Sequence, residues 1–269
     1  MAGMKHLVCY SGGHSSALVA IEVVRKFGKE NVVLLNHDIN PKIEHEDIKR
    51  FKKEVADYLG LKITYANNPR WEELTPVSNA LELSGFQFAP GKALCTKELK
   101  TKPFYKWLEE NAINKKEWVV YYGFDKDEPD RISNRTTIMR SMGFNTDYPL
   151  ANWDRTILGT EEIGINRPIT YKIFKHANCI GCLKAGRQHW YVVYCLRRDI
   201  FDEAMSAEEK LGHSIIRDIY LKDLVPIYED IISKGICPND RENSATFWAR
   251  VNEAIPEQMT FMPCDCAFL

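Results

Sequence analysis

The chain has no apolar run approaching the ~20 residues that a membrane-spanning helix needs, so no membrane-embedded role is expected. It has almost no net charge either: 36 Lys and Arg stand against 37 Asp and Glu, leaving −1. That balance excludes a global pull toward nucleic acid or an anionic membrane, and any such contact has to come from a local basic face. There is no internal repeat, no low-complexity tract and no clear linker. The opening Met-Ala-Gly-Met-Lys-His does not read as a signal peptide, so a cytoplasmic location is expected.

What is present is enough apolar residue, 45 %, to build a core, and eight cysteines. Without a secretory signal, clustered cysteines read as metal or redox ligands before disulfides. Strand and helix signals alternate through the first half. Leu7–Cys9 and Val32–Asn36 are short apolar strand runs. Ile48, Phe51, Val55 and Leu59 fall at helical spacing, closed by Gly60. Lys62–Ala66 reads as a third strand, the stretch up to Gly91 as a loop, and Thr101–Glu110 as a helix. Trp118–Tyr122 reads as the next strand. This alternation predicts an α/β fold, a doubly wound and mostly parallel sheet, over residues 1–175. Residues 176–269 read as a helical C-terminal extension packed on the first domain, with Tyr220, Leu224, Ile227, Tyr228 and Ile231 on one stripe.

Four constellations can carry chemistry. Ser11-Gly12-Gly13-His14-Ser15-Ser16 joins the first strand to a helix, where glycines, open N–H groups and the helix dipole suit a phosphate. An ordinary strand-to-helix turn is the competing reading. Cys95 with Lys97, Lys100 and Lys102 places a thiol beside cations at a helix start, or else is a solvated basic face. Gly123 through Glu128 and Arg131, with Arg135 one turn on, offers guanidinium groups to an oxyanion at a strand end. Cys179-Ile180-Gly181-Cys182 can clasp half of a metal. Cys95 and the tail residues Cys264 and Cys266 are candidates to complete it, with His176 as a spare ligand. Cys9, Cys195 and Cys237 sit in apolar surroundings and are expected in the core, and His189-Trp190 is expected to pack.

Together these residues resemble the PP-loop ATP pyrophosphatases of the adenine nucleotide alpha-hydrolase-like superfamily, in which Ser-Gly-Gly-x-x-Ser is the signature. The chain is most similar to the phosphoadenosine phosphosulfate (PAPS) reductase-like branch. The shared features are Cys95 with Lys100 and Pro103, Gly123 with Glu128 and Arg131, and the late Cys179-x-x-Cys182 pair. Leu35-Asn36-His37-Asp38 occupies the place of the second strand, which ends near the adenosine. The branch usually has Lys-Asp where this chain has His14-Ser15, and a Cys-Cys pair where it has Leu94-Cys95. The Glu-Cys-Gly-x-His-like tail of the sulfonucleotide reductases is missing from Pro263-Cys264-Asp265-Cys266.

The resemblance implies ATP or a related adenine nucleotide, Mg²⁺, and a cysteine-bound 4Fe–4S cluster or Zn²⁺. Ser11 to Ser16, Asp38, Lys100, Gly123, Glu128, Arg131 and Arg135 would hold the nucleotide, with Arg131 and Asp38 in the chemistry. Adenylation of an acceptor with release of pyrophosphate, in sulfur transfer, is the leading expectation. It brings a tRNA or DNA acceptor and a sulfur-donor protein as partners, and leaves oligomerisation open. A nucleic-acid acceptor further predicts a basic strip from Lys97, Lys100, Lys102, Lys106, Lys184 and Arg187. The alternatives are thiol-dependent reduction of PAPS or adenosine phosphosulfate through Cys264 or Cys266, and a nucleotide-binding subunit without catalysis.

Overall fold

The computed structural model describes residues 3–89, 92–177 and 179–256. The chain forms two compact units whose segments interleave along the sequence. The first takes the chain up to Pro41, His45–Glu72 and Lys97–Ile169. The second takes Lys42–Glu44, Glu73–Thr96 and the chain from Thr170 onward. A single cut after residue 175 therefore does not describe the division, because residues 73–96 belong with the later helices.

The first unit is an α/β layer structure. Strands β1 (Lys5–Cys9), β2 (Val32–Asn36), β3 (Ile63–Tyr65), β4 (Trp118–Tyr121) and β5 (Asn145–Asp147) form one sheet. Their order is β3-β2-β1-β4-β5 and every pair is parallel. Successive strand side chains face opposite ways, and each face has its own core. On one, Val8, Leu34 and Tyr121 pack with Ala17 and Ile21 of α1 (His14–Phe27) and with Phe51 and Val55 of α2 (Glu46–Leu59). On the other, Leu7, Leu35 and Val120 pack with residues of two helices that follow α3 (Pro76–Glu82), namely Phe104 and Leu108 of α4 (Lys102–Asn111) and Met139 of α5 (Pro129–Ser141).

Helix α1 is the central helix, buried continuously from Ser16 to Val23, and this run includes a carboxylate. Glu22 is 3 % exposed, and its Oε1 accepts from the N–H of Thr156 (2.6 Å), the Thr156 hydroxyl (3.0 Å) and the N–H of Ile157 (3.2 Å). A buried carboxylate so satisfied fixes the 156–157 segment against α1. Removing it leaves the buried Ile157 N–H and the part-buried Thr156 N–H without an acceptor. Glu22→Ala is expected to cost about 2–4 kcal/mol and to lower the thermal midpoint by about 5–10 °C, with calorimetry as the check.

The second unit is helical. Helices α6 (Arg187–Leu196), α7 (Arg198–Leu211), α8 (Leu221–Ser233) and α9 (Ser244–Ala254) enclose Trp190, Tyr191, Phe201, Tyr228 and Phe247. The rings meet edge-on or tilted, as their quadrupoles favour; Tyr194 and Phe201 cross at 82° with centroids 4.9 Å apart. His189 and Trp190 are both buried, as expected of packing residues. Helix α3 packs against α7, and its start is fixed by a capping box between Thr75 and Ser78. Of the cysteines expected in the core, Cys9 and Cys195 are half-buried, but Cys237 is exposed, in the non-helical stretch that follows the end of α8 at Ser233. No helix among the described residues is long and apolar enough to cross a membrane.

Candidate functional site

After β1 the chain turns through Ser11, Gly12 and Gly13 into α1. Gly12 has φ +82°, and an added Cβ would lie 2.6 Å from both Cγ and Cδ of Lys52. Gly13 is the N-cap, and no side chain caps the helix there, so its first turn keeps open N–H groups. Ser11 Oγ donates to Ser16 Oγ (3.1 Å), which donates to the Gly13 carbonyl (2.9 Å). Ser15 is exposed. A Cβ on Gly123, just past β4, would lie 3.1 Å from the Ser16 nitrogen and 3.2 Å from the Ser15 carbonyl carbon. The end of β4 is thus pressed against the first turn of α1. This contact falls where the strand order changes direction, the place at which open α/β sheets hold ligands.

His14 does not act here as a cation. Its Nε2 accepts from the N–H of Thr160 (3.3 Å), which requires an unprotonated nitrogen. Burial, reinforced by Arg167 and Arg155 against a smaller opposing effect of Glu161, lowers its pKa to about 4. The unfolded chain binds the proton first, near 6.5. The stability this ring contributes is therefore complete above neutrality and declines as the pH falls from 6.5 toward 4. Gln at this position can accept the same N–H without titrating. His14→Gln should flatten the acid limb of the melting profile between pH 6.5 and 4, recovering about 1–2 kcal/mol at its lower end after allowance for solvent screening.

Asp38, past the end of β2, is the carboxylate of this site. Its N–H donates to Asn67 Oδ1 (2.7 Å), and the N–H of Ile39 donates to its Oδ1 (3.1 Å). Two lysines of α2 reach the same oxygen, Lys49 at 3.5 Å and Lys52 at 3.7 Å. Lys52 is 1 % exposed. Neither lysine stood out in the sequence as a site residue. The signal was there for Lys52, which falls on the Ile48, Phe51, Val55, Leu59 stripe.

The residues after β4 form a second cluster. Glu128 precedes Pro129 at the start of α5, accepts from the Asp125 N–H (3.1 Å), and pairs with Arg131. The Arg131 guanidinium lies 4.2 Å over the Phe124 ring and that of Arg135 lies 5.3 Å over Tyr122. Arg131 is exposed and its charge is matched by Glu128. Half-buried Arg135 has no carboxylate ion pair among the described residues, so it is the stronger candidate to meet an anion. Burial pushes the Cys9 thiol up to about 12 against the pull of nearby Tyr122 and Arg135, which rules it out as a ready thiolate. Burial first, then the charge of Lys100, holds His37 below its ordinary pKa, opposed by its bond to the Ala66 carbonyl. Lys100 itself lies in the π-helical turn Lys97–Thr101 that leads into α4.

Cys95, in the turn Leu94–Thr96, and Cys179 and Cys182 all belong to the second unit. No three His, Cys, Asp or Glu side chains among the described residues group as a metal site. Cys264 and Cys266 lie outside the described residues. Arg187 is buried rather than on the surface, because it starts α6 inside the aromatic core, and Lys102 and Lys106 pair with Glu98 and Glu110 one turn away. Compared with known proteins, the chain matches no family model and no curated protein.

Proposed function

We propose that this chain is a PP-loop enzyme of the PAPS reductase-like kind, within the adenine nucleotide alpha-hydrolase-like superfamily. It binds ATP over the Ser11–Ser16 loop and activates an acceptor by adenylation. The observation that supports this most is the approach of Gly123 to the first turn of α1, beside left-handed Gly12, at the point where the strand order reverses.

In the proposed step an acceptor oxygen attacks the α-phosphorus. The new O–P bond forms as the bond to the bridging oxygen breaks, and pyrophosphate leaves with the electron pair. Open N–H groups of the loop and the Arg135 guanidinium stabilise the charge that builds on phosphate oxygens. A reduced sulfur donor then attacks the activated carbon, forming C–S as C–O breaks and AMP departs. Asp38 keeps an oxygen for a ribose hydroxyl or for the Mg²⁺ that accompanies ATP. Cys179 and Cys182 would supply two thiolates to a metal, and among the described residues no third His, Cys, Asp or Glu groups with them. Iron and sulfide analysis after anaerobic purification, with Cys179→Ala beside it, tests thiolate ligation.

Isothermal titration with ATP is the first test of the nucleotide reading. Saturable binding that Mg²⁺ strengthens is the expected result. No heat at millimolar ATP, with or without Mg²⁺, overturns it.

A further inference from the structure

We infer that Lys52 is a positioning residue that sets both the Gly12 turn and the Asp38 carboxylate for a ligand hydroxyl. The inference rests on the nucleotide reading above and adds the element of α2 that makes the site rigid.

Lys52 serves as a floor and as a clamp. Its stem lies under Gly12, where Cγ and Cδ fill the volume a Cβ would take. Its ammonium extends beyond, 3.4 Å from Asn36 Oδ1 and 3.7 Å from Asp38 Oδ1. Its own carbonyl accepts from the Tyr10 hydroxyl at 3.0 Å, while Asn36 Nδ2 donates to the Tyr10 carbonyl at 2.5 Å. Tyr10, Asn36 and Lys52 thus close a ring of hydrogen bonds across the ends of β1 and β2. A cation so buried is tolerated only where its donors are met, which ties the loop to the strand end next to it.

The consequence is at Asp38. Lys52, Lys49 and the Ile39 N–H all converge on Oδ1. A carboxylate held by one oxygen presents the other in a fixed direction, so Oδ2 is the acceptor turned to the ligand. The matching ligand group is a vicinal hydroxyl, as on the ribose of a nucleotide. With His14 neutral and bonded to Thr160, Lys52 is also the buried cation of this loop.

The test compares ATP with 2′,3′-dideoxy-ATP by titration calorimetry, in wild type, Lys52→Met and Asp38→Asn. Met keeps the stem and removes the charge; Lys52→Gln, which can still meet Asn36, serves if Lys52→Met does not melt cooperatively. Wild type should favour the hydroxylated nucleotide by about tenfold, the scale of one charge-assisted hydrogen bond. The lysine variant and Asp38→Asn should both lose that preference, the ratio of the two affinities falling from about tenfold to about one. A general structural role would weaken both ligands alike. Undiminished discrimination in the lysine variant overturns this role alone. Failure of wild type to bind either compound overturns the nucleotide reading and this role with it.

Discussion

Gly12→Ala should abolish measurable ATP binding and lower the stability of the first unit by about 2–4 kcal/mol. Two penalties act together. At φ +82° an L-residue meets its own backbone, which costs roughly 1 kcal/mol. The methyl would then stand 2.6 Å from Cγ and Cδ of Lys52. That contact cannot be relieved by swinging a flexible tip, because these are mid-stem atoms of a side chain that is 1 % exposed. Overpacking of this sort typically costs about 1–3 kcal/mol. Relief has to come from the turn itself, which moves the open N–H groups away from the phosphates they are proposed to meet. Gly13→Ser is the control. Gly13 has φ −84° and ψ 159°, a conformation any residue adopts at an N-cap, and a serine there should hold or raise stability by a few tenths of a kcal/mol. Thermal melting and ATP titration of both variants check the pair. If Gly12→Ala melts with wild type and binds ATP normally, the turn is not the site.

The contrast between these two glycines shows what the sequence conveys here. The Ser-Gly-Gly turn, the strands around it and the Ile48–Leu59 stripe were legible because each is a local pattern: an apolar run, a period, a cap at Gly60. The elements that escaped lacked such patterns. Helix α5 carries Asp130, Arg131, Asn134, Arg135 and two threonines and buries only Met139, so it shows no apolar stripe. Strand β5 is Asn-Thr-Asp at a sheet edge, three residues without a β-branched pair. Helix α3 lies in the stretch read as a loop, although Thr75, Pro76 and Ser78 spell out its start.

Site roles were harder to read than elements, for a physical reason. His14 looks like a phosphate ligand by position, yet its partner is Thr160, 146 residues on. Arg131 and Arg135 are alike in sequence. What separates them is that Glu128 neutralises the first, while the second lies half-buried over Tyr122. Lys52 sits in an apolar stripe where a lysine is out of place, and its purpose appears only when Gly12 and Asp38 are brought to it. Pairings across such distances depend on the fold, and composition and spacing do not encode them.

A comparable close approach governs the Cys179–Cys182 turn, and Gly181→Ala is expected to be the most damaging single-methyl change in the helical unit. Gly181 has φ +73°, and its added Cβ would lie 2.5 Å from Cγ2 of Ile200 and 3.4 Å from the Trp190 ring. Ile200 is 2 % exposed and Trp190 fully buried, so neither can retreat into solvent. Backbone strain and overpacking together should cost about 2–4 kcal/mol, a fall of about 5–10 °C in the thermal midpoint. The mechanism can be isolated. Ile200→Leu moves the branch from Cβ to Cγ and removes the atom the methyl would strike. If steric conflict is the cause, the double variant should recover at least half of the lost stability, a coupling that independent sites do not show. A double variant that is simply additive would assign the whole effect to the backbone at residue 181. Gly181→Ala also moves the two flanking cysteines without altering either thiol. Iron bound to wild type and lost from this variant, but regained with Ile200→Leu, would establish that the geometry of the turn, beyond the presence of its thiols, is what a metal requires.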